Sequence, residues 1–197
     1  MKEFTLTAPM EFRQEIKRSR FIALAEPVES VEQAMKFFEV KSDATARHNC
    51  WAYKVGRDYR FNDDGEPSGT AGKPILAAIE YAELTNVAVL VIRWFGGIKL
   101  GTGGLARAYG GSASSCLNLA EKTEIKPTCI CRLEMPFALT GLVHQLIGDE
   151  RIVKLSEVFN AEGICLRLQI EESFFADFER DVRNATGGRV EVTLVEA

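Results

Sequence analysis

The chain has 197 residues, of which 46% are hydrophobic and 26% charged, with a net charge of −4. Such a chain is globular and long enough to bury a proper core, as one large domain or two small ones, and its balance excludes a non-specific DNA coat, whose mark is a strongly basic pI. MKEFTLTAPMEF at the start holds no long apolar stretch and no segment reaches the length of a membrane span, so the expectation is a cytoplasmic protein with no signal peptide and no membrane contact.

EFTLT and RFIALAEPV read as strands, and Ser30 with Gln33 forms a capping box for a helix to about Lys41. HNCWAYKV alternates as a strand, Pro74 suits the first turn of a helix through Glu83, VAVLVIRWF is a nearly continuous buried strand, and Leu105 to Ala120 is a further helix. EKTEIKP, from Glu121 to Pro127, is polar and proline-ended and reads as a linker. Beyond it the order is strand (TCICRLEM), helix (capped by Thr140, through Ile147), two strands (RIVKLSEVF and GICLRLQI), helix (opened by Ser173, to about Asn184, ended by Gly187 and Gly188) and strand (RVEVTLV). This βαββαβ order is the ferredoxin-like one. The expectation is an α+β protein with a glycine-rich domain at 1–124 and a ferredoxin-like domain at 125–197.

Charge divides along the same line: Met1 to Glu124 holds 16 basic and 16 acidic residues, Ile125 to Ala197 holds 8 and 12. Five cysteines (Cys50, Cys116, Cys129, Cys131, Cys165) are odd in number and mostly set in apolar runs, as reduced core thiols are.

Ten of the 16 glycines fall between Asp63 and Gly111, in DDGEPSGTAGKP and RWFGGIKLGTGGLARAYGG. Neither cluster is a nucleotide motif. A Walker loop through Gly72 and Lys73 requires Gly where Pro67 stands and Ser or Thr where Pro74 stands, and the dinucleotide spacing of Gly101, Gly103 and Ala106 is separated by five residues, GGIKL, from the strand end at Phe95. Simpler physics remains. Free amides at the helix openings near Lys73 and at Gly101, Thr102, Gly103 and Gly104 attract anions, and Lys73, Arg93, Lys99 and Arg107 stand nearby to make a phosphate-binding concavity. Equally open is that Arg93 pairs internally with Asp63, Asp64 or Glu66 and that the glycines only let two loops pack. Trp94, Phe95 and Tyr109 are either stacking surfaces or core, and Lys17, Arg18 and Arg20 read as a solvated basic face. A possible loop site comprises His48, Asp63, Asp64, Glu66 and Thr70, although Asp-Asp-Gly is first of all a turn. Catalytic geometry is not indicated: His48 and Cys50 lie two apart on one strand face, and Cys129 and Cys131 lack a matching pair for zinc. No cofactor and no metal ion are expected.

ARHNCW (Ala46 to Trp51), DDGEPSGTAGKP (Asp63 to Pro74) and VLVIRWFGGIKLGTGGLARAYGG (Val89 to Gly111) resemble the IMPACT/YigZ family in its two-domain bacterial form. The most specific part is Arg93-Trp94-Phe95-Gly96-Gly97 followed by Leu100-Gly101. The resemblance implies an N-terminal domain similar to domain 2 of ribosomal protein S5 and a C-terminal domain similar to domain V of elongation factor G, both of which work on RNA. Eukaryotic relatives regulate translation through a starvation-sensing kinase with the help of an extra N-terminal domain, and that role is not carried over. The leading expectation is a non-catalytic translation-associated regulator that binds RNA or the ribosome through the glycine-rich basic face, with protein partners for the acidic C-terminal domain. Alternatives are an anion- or metal-dependent small-molecule enzyme at the Asp63, Asp64, Glu66 and Lys73, Arg93 loops, or a protein-interaction adaptor.

Overall fold

A computed structural model describes residues 3–195 and divides into two compact units, Met1–Ile125 and Lys126–Ala197. The first runs β1 (Glu3–Leu6), β2 (Met10–Ile16), β3 (Ser19–Pro27), α1 (Val31–Lys41), β4 (His48–Val55), β5 (Asp58–Asn62), α2 (Gly72–Tyr81), β6 (Val87–Trp94), α3 (Thr102–Leu119) and β7 (Lys122–Ile125). Five strands form one sheet in the order β2-β3-β6-β4-β5, antiparallel throughout. The apolar run of β6 follows from its central place. Val87, Val89 and Val91 pack under α2 and α3, while Ala88, Leu90 and Ile92 pack under α1. Antiparallel sheets often leave one face wet; here helices cover both, so the strand has no polar side.

Helix α1 starts where its cap directs. Ser30 Oγ accepts from the Gln33 amide at 3.2 Å, and Gln33 Oε1 accepts from the Glu29 amide at 2.8 Å, one residue before the expected partner. Ala34, Phe37 and Phe38 face inward, and Phe38 stacks on Trp51 with centroids 4.6 Å apart.

Three strands lie outside the sequence-based expectation. β2 alternates half-buried and exposed positions, β5 is exposed along its whole length, and β7 lies in the segment expected as a linker. β7 pairs with β1 from Glu3↔Ile125 to Leu6↔Lys122. Main-chain hydrogen bonds define β5 and β7: β7 leaves no apolar periodicity in the sequence, and the alternation of β5 is confined to Tyr59 and Phe61 in a five-residue strand.

The second unit comprises β8 (Thr128–Met135), a 3₁₀ turn (Phe137–Leu139), α4 (Thr140–Leu146), β9 (Ile152–Phe159), β10 (Ile164–Glu171), α5 (Glu172–Thr186) and β11 (Val192–Val195). Its sheet order, β11-β8-β10-β9, with all pairs antiparallel, is that of the ferredoxin-like fold. Inward residues of β8 and β10 (Cys131, Leu133, Leu166, Leu168) meet Val143 of α4 and Phe178 and Val182 of α5. Gly187 ends α5 in the left-handed conformation, with the amide of Gly188 donating to Arg183. Thr140 does not cap α4: Leu139 holds the cap position, and Thr140 is already helical because the preceding 3₁₀ turn feeds directly into the helix. No helix of the described residues is long and apolar enough to cross a membrane.

All five cysteines are free thiols, with Cys50, Cys116 and Cys131 buried and Cys129 and Cys165 half-buried. Burial pushes Cys116 and Cys131 up to about 12. A thiol raised in the folded state favours the native protein while it stays protonated, and that contribution is lost as pH rises beyond the unfolded thiol value. Iodoacetamide at neutral pH is expected to modify only Cys129 and Cys165, with the other three reacting after denaturation, as peptide mass mapping would read out.

Candidate functional site

The first glycine cluster is organised by one carboxylate. Asp63 Oδ1 accepts from the amides of Ala71 and Gly72 at 2.9 and 2.8 Å, and Oδ2 from that of Gly69 at 2.8 Å. Asp63 therefore supplies the anion for the opening of α2 from within the chain. Asp64, at φ 40°, accepts from the Asn49 amide at 2.6 Å, and Thr70 donates to the Pro67 carbonyl at 2.6 Å. These contacts fix the loop as a rigid turn and present Glu66 inward.

Glu66 meets Arg93 at the end of β6. Arg93 Nη1 donates to Glu66 Oε1 at 2.5 Å, and both side chains are almost wholly buried. Tyr109 of α3 donates its hydroxyl to the same oxygen at 2.8 Å; burial raises the Tyr109 phenol far above its ordinary range, so it remains a donor. His48 Nδ1 lies 2.7 Å from the Asp64 carbonyl oxygen, which only accepts, so Nδ1 carries the proton and Nε2 faces Glu66 Oε1 at 3.7 Å. Arg93 Nη2 reaches Ser19 at 3.5 Å, and the guanidinium lies 5.7 and 5.6 Å from the ring centres of Phe21 and Phe95. Its Nε is buried without a hydrogen-bond partner.

The second cluster turns the chain from β6 into α3. Gly96 packs on the β2–β3 turn so closely that a Cβ there would stand 1.9 Å from the Arg18 carbonyl oxygen. Gly101 caps α3 at φ 72° and has no side chain to hydrogen-bond the helix amides. Between the two loops opens a cleft of about 420 Å³, whose walls include Arg47, His48, Glu66, Arg93, Phe95 and Lys99, together with Gly101 and Thr102 at the uncapped end of α3.

Of the residues expected to bind an anion, Arg93, Lys99, Gly101 and Thr102 converge on this cleft, joined by His48 and Glu66 from the loop site. Gly103 and Gly104 follow in the first turn of α3. Lys73 is not brought there, being exposed beside an amide end that Asp63 already fills. Arg107 lines a neighbouring depression with Lys17 and Gly104, and its guanidinium reaches back to the first turn of α3, where a Cβ on Gly103 would stand 3.7 Å from Nη1. Lys17 and Arg18 form the β2–β3 turn with positive φ, and Arg20 lies over Trp94 at 3.8 Å, so the basic run is a turn and a stacking contact. Tyr109 is core. Arg47 went unnoticed in the sequence; its signal is its place just before β4, whose first residue, His48, pairs with Arg93 across the sheet. Neither Arg47 nor Lys99 has an ion-pair partner among the described residues.

The Impact N-terminal domain model matches residues 17–117, more than half of the chain, a span that contains both glycine clusters and the whole cleft. The chain belongs to the IMPACT family. An IMPACT family member from Haemophilus influenzae is 39% identical over 193 residues, covering 94% of this chain and 93% of that one. An IMPACT family member in the pol 5′ region of Thermus thermophilus is 44% identical over 155 residues, covering 79% of this chain and 86% of the other. A solved structure described as that of a hypothetical protein matches with a TM-score of 0.80 at 30% identity, over 99% of this chain and 98% of that one. The likeness thus runs through both units of this IMPACT family protein.

Removing one partner of the buried pair leaves an unpaired charge, so Glu66→Ala is expected to cost about 3–5 kcal/mol in urea unfolding, and adding Arg93→Met should recover part of that loss. Asp63→Ala, which removes three charge-assisted hydrogen bonds, is expected to cost about 2–3 kcal/mol by the same assay.

Proposed function

We propose that this IMPACT family protein is a non-catalytic, translation-associated regulator whose glycine-rich unit holds RNA by its phosphates at the cleft. One observation carries the reading. Glu66, the cleft's carboxylate, is engaged by Arg93 and Tyr109, so Arg47, Lys99 and the open amide end of α3 remain as uncompensated positive groups around one concavity. The link to translation rests on the resemblance of both domains to RNA-working domains of the ribosome and its factors, an argument at the level of fold. Charge agrees with it: the acidic excess lies wholly in the second unit, which suits protein partners better than RNA. An enzyme built on Asp63 and Asp64 is disfavoured, because their side chains are already spent on backbone amides.

Fluorescence anisotropy with a single-stranded RNA across a salt series tests the reading. Arg47→Glu and Lys99→Glu are each expected to weaken binding and flatten the log–log salt slope by about 0.7 per lost phosphate contact, whereas Lys73→Glu leaves the slope nearer that of the wild type. Absence of wild-type binding at low salt would overturn it.

A further inference from the structure

We infer that the cleft is a seat for a phosphomonoester dianion, the terminal phosphate of an RNA strand or of a free mononucleotide, rather than a track for internal phosphodiesters. The inference deepens the RNA reading above and rests on it for the RNA arm only.

Three observations carry it. The first turn of α3 is an eighteen-residue helix's N-terminus with no side-chain cap, and its opening residues Thr102-Gly103-Gly104 offer successive amides beside the cleft, two of them without a Cβ in the way. The opening of α2, by contrast, has its anion built in as Asp63, so the same loop pair holds one helix end closed and the other open. Independently of the helix, Arg93 lines the cleft, is only 5% exposed, and keeps a buried Nε without any acceptor after Glu66 and Ser19 have taken its other nitrogens. A buried donor of that kind is costly unless an acceptor completes it.

Charge and size then choose the ligand. With Glu66 and Arg93 cancelling, Arg47 and Lys99 supply two positive charges, which match the near-dianionic charge of a phosphomonoester at neutral pH and exceed the single charge of a diester. A concavity of about 420 Å³ lies in the range of small-molecule sites and fits one nucleotide. An internal linkage must carry its chain in and out of the same recess; a terminal phosphate enters once. Phe95, 43% exposed on the cleft wall, offers an apolar face to the sugar or base behind that phosphate.

The test uses the full chain and one RNA sequence of roughly ten nucleotides in three forms, with a 5′-phosphate, a 3′-phosphate or hydroxyls at both ends, alongside calorimetry with adenosine, 5′-AMP and 3′-AMP. At least one phosphorylated end is expected to bind roughly tenfold tighter than the hydroxyl form, and the corresponding mononucleotide to bind where adenosine does not. Lys99→Glu, an exposed change whose thermal unfolding midpoint serves as the folding control, is expected to abolish that difference. If all three RNAs bind alike and neither mononucleotide binds, the terminal-phosphate inference is overturned while the RNA reading stands. If a mononucleotide binds and no RNA does, the RNA reading falls and the phosphomonoester seat remains. Binding of nothing in either arm overturns both.

Discussion

The contact between Glu66 and Arg93 ties together three segments that are far apart in sequence. Arg93 closes the central strand of the sheet, Glu66 sits in a loop pinned by Asp63, and Tyr109 comes from the helix that covers the same face. Taking two charges out of water costs several kcal/mol for each ion, and their attraction recovers this only with good geometry and further hydrogen bonds. Relative to apolar residues of the same volume such a pair adds little stability. What it does is fix spacing, since any drift of the loop, the strand or the helix exposes a buried charge to an apolar wall. The cleft is the space left between segments held in this way.

This constraint explains the glycine density. Two loops must approach each other and the β2–β3 turn while keeping their backbones fixed, and Gly96 against the Arg18 carbonyl shows how little room remains. The glycines are thus structural in the first place. They shape the loops, and one of those loops leaves the end of α3 without a side-chain cap. Internal pairing of Arg93 and an anion concavity are compatible in this fold. Internal pairing with Glu66 is what the fold contains, and it is also what frees Arg47 and Lys99 to set the sign of the cleft.

Legibility from sequence followed the apolar pattern. The continuous run of β6, the Ser30 cap and the alternation of β8 and β10 each announce their element, because side-chain burial imposes their periodicity. β7 is silent because most of its side chains face solvent and its backbone alone pairs, and β5 offers only the short alternation of Tyr59 and Phe61. At the site, Arg93, Lys99, Gly101 and Thr102 were visible as a basic, glycine-rich stretch. Asp63 was legible as a turn residue but not as the partner of three amides, since that role depends on where α2 begins. Lys73 is near in sequence only, because Asp63 already holds the amide end beside it, whereas Arg107 reaches back one turn to Gly103. Tyr109 lies four residues after Leu105 and four before Ala113 on the buried face of α3, a spacing that marks it as core rather than as a stacking surface.

An RNA-binding cleft requires that the open end of α3 meet the ligand. Titrating the isotope-labelled full chain with single-stranded RNA and following backbone amide shifts measures this directly. The largest shifts are expected on Lys99, Thr102, Gly103 and Gly104, with Gly69, Ala71 and Gly72 unmoved because Asp63 already holds them. Shifts confined to the sheet of the second unit, or centred on the start of α2, would contradict it.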